Sequence, residues 1–177
     1  MVRVISGLHR GNRLAGLPGN EIRPTTDKTK EWIFNVLGDI EGIKVLDLFA
    51  GTGSLGIEAL SRGADRATFV EVSQEAIGLI RKNVAKLGEG DRAILRRKDS
   101  LKFLAESKTE RWDLIFADPP YSYDKTAELT SAALMAIDDG GYFVLETPAG
   151  GDIELPAQAD REKKFGGSMI YLFGSKN

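Results

Sequence analysis

The sequence contains no cysteine and a single histidine, His9. Without cysteine the chain can form no disulfide bond, no thiolate zinc site and no iron–sulfur cluster, and it has no cysteine nucleophile. The single histidine lies in a stretch rich in glycine and arginine, which excludes a multi-histidine metal centre and a histidine-based catalytic triad. We therefore expect no metal cofactor.

The chain also lacks a long apolar run. No segment approaches the roughly 20 apolar residues that span a bilayer, and the first residues are too polar for a secretory signal. Hydrophobic residues make up 42% of the 177 residues, which is enough to bury one core. These features predict a cytoplasmic protein without membrane contacts.

The charge is almost balanced, with 24 Lys and Arg against 26 Asp and Glu, but it is unevenly distributed. Residues 1–30 carry six basic and two acidic side chains, whereas the other 147 residues carry 18 and 24. We predict a basic N-terminal arm (residues 1–25) before one domain (residues 26–177), and a polyanionic partner. Arg10 and Arg13, interleaved with glycine, are candidates for phosphate contacts. A solvated loop would explain the same pattern.

Apolar strand patterns alternate with helical patterns along most of the chain. We expect strands at residues 44–49, 66–72, 93–97, 112–117 and 142–146, and helices at residues 54–62, 73–87, 101–107 and 127–137. A further helix is predicted from Thr26, a short strand near Val2, and a hairpin over residues 161–165 and 169–173. This order predicts an α/β fold: a Rossmann-like, doubly wound sheet of seven strands, mostly parallel, with an antiparallel C-terminal hairpin.

A glycine-rich loop follows the first predicted strand. Gly51, Gly53 and Gly56 match the pattern G-x-G-x-x-G, and Glu71 follows Gly51 by twenty residues, at the end of the second strand. This combination favours binding of an adenosine-containing cofactor. Glu71 would accept hydrogen bonds from the ribose hydroxyls of that cofactor. The alternative is a tight turn with Ser54 as helix N-cap and no ligand.

An acidic residue, Asp47, lies just before that loop. A carboxylate there would repel the pyrophosphate of NAD but attract the sulfonium and ammonium groups of S-adenosylmethionine, so we predict the latter cofactor. Leu55 and Val72 flank the same region and are added to the predicted cofactor contacts. Asp99 and Ser100 follow the third strand, where the adenine is expected, although Asp99 would equally serve as a helix N-cap.

The tetrapeptide Asp118-Pro119-Pro120-Tyr121 follows the fourth predicted strand. The prolines fix the backbone and remove two N–H donors, so carbonyl groups and the Asp118 carboxylate can face a ligand that donates. Tyr121 adds a flat surface for stacking. These groups suit the exocyclic amine of a nucleobase, and we predict that they form the catalytic site. A rigid loop without catalytic function is the alternative.

The tetrapeptide resembles the [Asn/Asp/Ser]-Pro-Pro-[Tyr/Phe] signature of amino-methyltransferases that use S-adenosylmethionine. Most of the chain resembles the bacterial 16S ribosomal RNA guanine-N2 methyltransferase family. The matching stretches are residues 3–7, 10–11, 13, 23–27, 34–35 and 45–64.

The resemblance implies roles for particular residues. Phe49, Ala50, Gly51 and Gly53 would hold the methionine part of the cofactor, in addition to the ribose and adenine contacts given above. Residues 118–121 would hold the target base. A set next to the methionine end would contact the substrate: Arg23, Pro24 and Thr25. The implied partner is 16S rRNA, within the small ribosomal subunit or an assembly intermediate.

Three other functions remain open at this point. The same tetrapeptide serves adenine-N6 DNA methylation, although such enzymes usually carry a target-recognition domain for which this chain has no spare length. The fold would also suit a non-catalytic RNA- or nucleotide-binding module. An NAD-dependent oxidoreductase would share the glycine-rich loop.

Overall fold

A computed structural model describes residues 2–16, 26–150 and 153–174. The strands are β1 (Lys44–Leu48), β2 (Arg66–Glu71), β3 (Ala93–Arg97), β4 (Trp112–Ala117), β5 (Ile137–Pro148), β6 (Arg161–Phe165) and β7 (Ser168–Gly174). The helices are α1 (Asp27–Leu37), α2 (Ser54–Ser61), α3 (Gln74–Lys86), α4 (Ser100–Glu106) and α5 (Thr126–Ala136), with a 3₁₀ turn at Gly90–Arg92. None of the helices in these ranges is both long and apolar enough to cross a membrane.

The seven strands form one sheet in the order β3-β2-β1-β4-β5-β7-β6. The pairs among β1 to β5 are parallel, while β7 pairs antiparallel with both β5 and β6. The predicted fold class, a mostly parallel sheet with a C-terminal antiparallel hairpin, is therefore confirmed. From β1 to β3 the chain adds strands toward one edge of the sheet, and from β4 onward it adds them toward the other edge. The strand order therefore reverses between β1 and β4, and α/β sheets of this kind bind ligands at that point.

Helices cover both faces of the sheet. Apolar side chains of α1, α2 and α3 pack with one set of alternate strand residues, including Val45, Phe69 and Phe116. Side chains of α4 and α5 pack with the other set, including Leu48 and Ile115. Successive residues of a strand point to opposite faces of the sheet. Alternate residues of each strand therefore pack against different helices.

Some element boundaries differ from the sequence-based expectation. The helix predicted from Thr26 ends at Leu37, because Gly38 adopts a left-handed backbone (φ 75°) and closes α1. Strand β5 is longer than expected and begins at Ile137, next to an irregularity in its pairing with β4. The short strand expected near Val2 is wrong: within residues 2–16 the β-structure is one isolated bridge between Arg3 and Arg13.

Residues 2–16, the described part of the predicted arm, pack on the domain. Val2, Val4 and Leu14 are buried in the core cluster of the α1–α3 face. Gly7 lies so close to α2 that a Cβ there would be 1.8 Å from the carbonyl oxygen of Ser61, which only glycine permits. The described segment is thus fixed against α2.

A buried carboxylate, Glu58 of α2, fixes this segment. It accepts hydrogen bonds from the backbone N–H groups of Ile5 (2.8 Å) and Ser6 (3.0 Å) and from Nε of Arg62 (2.9 Å). The ammonium group of Lys30 lies 3.7 Å from the same carboxylate and also donates to the carbonyl of Arg3. Burial lowers the pKa of Lys30, and the charge of Glu58 acts against that shift.

We expect Glu58→Ala to lower the free energy of unfolding by about 3–5 kcal/mol, because it leaves a buried ammonium group and two backbone donors without their acceptor. Denaturant unfolding followed by circular dichroism measures this. Asp65→Ala is the matched control, since Asp65 forms an exposed pair with Arg66 (2.9 Å) and its loss should cost at most about 1 kcal/mol. Equal losses in the two variants would contradict the role given to Glu58.

Candidate active site

Four carboxylates lie along the carboxyl ends of four neighbouring strands. Glu71 ends β2, Asp47 lies near the end of β1, Asp118 directly follows β4, and Glu146 lies near the end of β5. The register places Asp47 opposite Phe69 and Phe116, and Phe116 opposite Val144. Strand alternation therefore directs all four toward the α1–α3 face of the sheet. We call these four residues the carboxylate row.

Asp47 is the most deeply buried member of the row, at 3% exposure. Its Oδ2 accepts a hydrogen bond from the backbone N–H of Gly56 (2.9 Å). Burial raises the pKa of Asp47 to about 7; the Gly56 hydrogen bond opposes this shift and the charge of Glu71 adds to it. A Cβ at position 56 would be 2.4 Å from the Phe69 ring, so the close approach of α2 to Asp47 requires glycine.

The pKa of Asp118 is also raised well above its usual value, first by burial and then by the charges of Glu146 and Asp47. The charges of Asp47, Asp118 and Glu146 therefore lie close enough to interact. The sequence analysis did not identify Glu146 as a site residue. The available signal was an acidic residue directly after the apolar run Phe143–Leu145, at the carboxyl end of a predicted strand.

The loop after β1 is held by the row and by its own backbone. The N–H of Gly51 donates to Oε2 of Glu71 (3.0 Å), and the N–H of Ser73 donates to Oε1 (2.9 Å). Phe49 has a positive φ of 57°, a strained conformation for a residue with a side chain. Its ring packs edge-on against Tyr123, with the centroids 5.0 Å apart. Such strain commonly accompanies ligand-binding loops.

Asn83 of α3 joins this loop to the N-terminal segment. Its side-chain amide donates to the carbonyls of Thr52 and Ala15 (both 3.2 Å), and its Oδ1 accepts from the N–H of Ala15 (2.9 Å). The residue is buried, with 1% exposure. The sequence analysis missed this contact, because nothing in the local pattern around residue 83 indicates a partner 68 residues away.

The predicted adenine residues lie at the start of α4. Asp99 is the N-cap of that helix: its Oδ1 accepts from the N–H of Lys102 (3.0 Å). This confirms the capping alternative, and the second carboxylate oxygen remains for a ligand contact. Ser100 is buried, whereas Val72 is exposed at the sheet edge. Leu55 is buried in the core of the α1–α3 face.

The tetrapeptide forms a turn beside the row. Pro119 is buried, and the carbonyl of Pro120 accepts from the N–H of Tyr123 (2.8 Å), so this carbonyl serves the turn itself. The ring of Tyr121 is 61% exposed, which leaves its face open to a stacking partner. A cavity of about 360 Å³ adjoins the turn and includes Tyr123 and Thr147 in its wall.

The predicted substrate residues Arg10 and Arg13 are not brought into the row. Arg10 and Arg13 are exposed on the N-terminal segment, and no hydrogen bond or ion pair among the described residues connects their side chains to the row. Arg23, Pro24 and Thr25 lie outside the described residues. In the described ranges no cluster of acidic or histidine side chains is arranged to hold a metal ion.

The site fits a cationic ligand such as the predicted cofactor. Buried carboxylates that repel one another gain stability when a positive charge is placed between them. Ser54, which is not the N-cap because Gly53 takes that position, has a buried Oγ without a partner among the described residues. At Gly51 a Cβ would approach only the carbonyl of Phe49 (3.9 Å) within 4 Å, so space is open beside the loop.

We expect the pH dependence of stability to report the protonation of Asp47. Its pKa is about 7 in the folded chain against a usual value of 3.8, so the folded state binds the proton more tightly. The stabilisation from this proton is complete below about pH 4 and is lost as the pH rises through about 7. Asp47→Asn retains an acceptor for the N–H of Gly56 but has no carboxyl proton to lose. The urea midpoint of this variant should therefore fall less between pH 4.5 and 8 than that of the unaltered protein. Parallel profiles would contradict the raised pKa.

Comparison with known proteins shows the family of the chain. Residues 2–174 match the family model described as conserved hypothetical protein 95. A Bacillus subtilis protein with the provisional name rRNA methyltransferase YlbH is 40% identical over 88% of this chain and 86% of that protein. The ribosomal RNA small subunit methyltransferase D of Escherichia coli is 34% identical over 82% of this chain and 71% of that protein.

A solved structure shows the fold. An RNA methyltransferase from Salinibacter ruber, in complex with S-adenosylhomocysteine, superimposes with a TM-score of 0.67 at 21% identity and covers 85% of this chain and 92% of that one. The family resemblance noted from the sequence is thereby confirmed: the chain belongs to the conserved hypothetical protein 95 family, together with the ribosomal RNA small subunit methyltransferases D.

Proposed function

We propose that this protein transfers a methyl group from S-adenosylmethionine to the exocyclic N2 amine of a guanine in 16S rRNA. The observation that carries the proposal is the carboxylate row next to the exposed Tyr121 turn: acceptors for a cation and for an amine meet at one sheet edge. The names of the rRNA methyltransferase relatives support the RNA substrate. The protein would act in the cytoplasm, on the small subunit or an assembly intermediate.

The cofactor would lie over the loop after β1. When bound, S-adenosylmethionine supplies an electrophilic methyl group on a positively charged sulfur. Asp47, Phe49, Ala50, Gly51 and Gly53 would hold its methionine part. The residues proposed for its ribose and adenine are Glu71, Val72, Asp99 and Ser100, with Leu55 supporting the loop from the core. Each oxygen of Glu71 accepts one backbone N–H and retains a lone pair for a ribose hydroxyl.

Asp118 would hold the target amine. The guanine N2 group has two N–H donors and a lone pair delocalised into the ring, so it is a poor nucleophile. Hydrogen bonds from the amine to the Asp118 carboxylate favour the pyramidal nitrogen and fix its orientation. Because its pKa is raised, this carboxylate can also receive the proton that the amine loses, at Oδ1 or Oδ2.

The target base must leave its stack to reach Asp118. Tyr121 offers an exposed ring on which an extruded base can stack, and Pro119 and Pro120 keep the turn rigid. Arg10, Arg13 and the stretch Arg23–Thr25 would contact the RNA around the target. Such phosphate contacts position the RNA but do not select a sequence.

We expect Asp118→Ala to reduce methyl transfer at least 100-fold, because alanine offers no acceptor for the amine and no group that takes its proton. Methyl incorporation from labelled cofactor into small subunits or 16S rRNA measures this. Cofactor affinity, measured by calorimetry, and the unfolding midpoint should change little, which separates catalysis from binding and folding.

The identity of the methylated nucleoside tests the reaction. Nucleoside mass spectrometry of the treated rRNA should show N2-methylguanosine. Methylation of adenine N6 in duplex DNA instead would identify the alternative enzyme. Binding of RNA and cofactor without any methyl transfer by the unaltered protein would indicate a non-catalytic module and overturn the proposal.

The row also predicts a pH dependence of cofactor selectivity. S-adenosylmethionine and S-adenosylhomocysteine differ by the methyl group and its sulfonium charge. Since Asp47 has a pKa of about 7, more negative charge faces the sulfonium at pH 8 than at pH 6. The affinity for S-adenosylmethionine relative to that for S-adenosylhomocysteine should therefore rise several-fold from pH 6 to pH 8. The rise should be smaller in Asp47→Asn. A ratio independent of pH would contradict a sulfonium site at the row.

A further inference from the structure

A basic trough lies on the α4 face of the sheet, opposite the carboxylate row. Its volume is about 730 Å³. Six cationic side chains line it: Lys44, Arg66, Arg96, Arg97, Lys98 and Arg111. Three carboxylates also line it: Glu106, Glu110 and Asp138. The trough therefore carries a positive excess on a chain whose net charge is −2.

The trough exists because α4 is short. This helix spans seven residues, and its buried side chains Phe103 and Leu104 pack with Val70 near the carboxyl ends of the strands. On this face, no helix among the described residues packs over the amino-terminal part of β2 and the edge strand β3. Arg66 and Arg96 are exposed there, at even-numbered strand positions that point to this face.

Among the described residues, three of the guanidinium groups form their hydrogen bonds with backbone carbonyls and not with carboxylates. The guanidinium group of Arg96 donates to the carbonyl of Leu95, that of Arg97 to Val72, and that of Arg111 to Lys108 and Glu110 carbonyls. In the described ranges, no carboxylate lies within 4 Å of these three groups. By contrast, Lys98 pairs with Glu106 and Arg66 with Asp65. Unneutralised guanidinium groups around a trough suit phosphate oxygens.

We infer that this trough is a second docking surface for the RNA substrate and binds the phosphate backbone of a helix remote from the target nucleotide. The inference rests on the proposed rRNA substrate. Strand β4, whose six residues span about 20 Å, separates the trough beside Trp112 from Asp118 at its other end. A folded RNA can contact both places at once, whereas a nucleoside or a very short oligonucleotide cannot.

The surface also explains how a chain with net negative charge holds a polyanion. The carboxylate row faces the opposite side of the sheet from Lys44, Arg66 and Arg96, and exposed charges more than about 10 Å apart are largely screened at 0.1 M salt. The trough can therefore attract phosphates locally despite the acidic domain. Binding there is independent of base sequence, and specificity remains at the Asp118 turn.

The test uses the full chain and transcribed 16S rRNA. We expect Arg96→Glu combined with Arg111→Glu to weaken rRNA binding at least 10-fold in 0.1 M salt. The slope of log affinity against log salt should fall by about 1.5–2, one phosphate contact for each arginine. Affinity for S-adenosylmethionine should be unchanged. Arg161→Glu combined with Lys164→Glu is the matched control: it makes the same charge change on exposed residues of β6, at the other edge of the sheet.

The outcomes separate this inference from the proposed function. Equal rRNA affinity of the trough variant and the unaltered protein, with methylation retained, would overturn the inference that the trough binds RNA. The same result would leave the proposed methyltransferase activity unaffected. Equal weakening by the β6 control would assign the effect to net charge and also overturn it. An unaltered protein that neither binds nor methylates rRNA would overturn both. Unfolding midpoints of the variants show that each is folded, since all four positions are exposed.

Discussion

Several carboxylates meet at one sheet edge, with Asp47 buried and Glu71, Asp118 and Glu146 partly buried, and this crowding is the constraint on which the rest of the site depends. Asp47 and Asp118 lie in surroundings that favour their neutral forms: burial raises the pKa of each, and the neighbouring charges of Glu71 for Asp47, and of Glu146 and Asp47 for Asp118, add to the shift. Gly56 must be a glycine for α2 to place its N–H on Asp47. A fold that retains such an arrangement gains from a cationic ligand, which relieves the repulsion that folding alone cannot remove. The repulsion between these carboxylates therefore costs free energy in the unliganded protein, and a bound positive charge would reduce that cost.

Two polar contacts link this edge to the rest of the molecule. Glu58 fixes the N-terminal segment through the backbone of Ile5 and Ser6, and Asn83 connects Ala15 to Thr52 in the cofactor loop. The segment that leads toward Arg23 is therefore bonded to the loop that would hold the methionine part of the cofactor. Asn83 thus joins the N-terminal segment and this loop through hydrogen bonds from one side chain.

Local sequence patterns were sufficient for most of the fold. The alternation of apolar strands with helices predicted all five parallel strands, and the hairpin over β6 and β7 followed from a glycine pair between two short runs. Boundaries failed where a distant partner decides them: β5 begins earlier because it pairs with β4, and the stretch near Val2 is a single bridge. Glu146 was missed because its role comes from neighbouring strands and not from a motif.

By itself the sequence determined the order of elements, the glycine-rich loop and the identity of Asp47, Glu71 and the Asp118–Tyr121 turn, because these depend on short-range spacing and residue type. The tertiary structure decided which carboxylates meet and what burial does to their pKa values, since both depend on strand order and on the packing of helices. It also decided that a short α4 leaves basic residues of β2 and β3 together on one open face. Such long-range proximity is set by the whole fold and cannot be read from any single stretch of the chain.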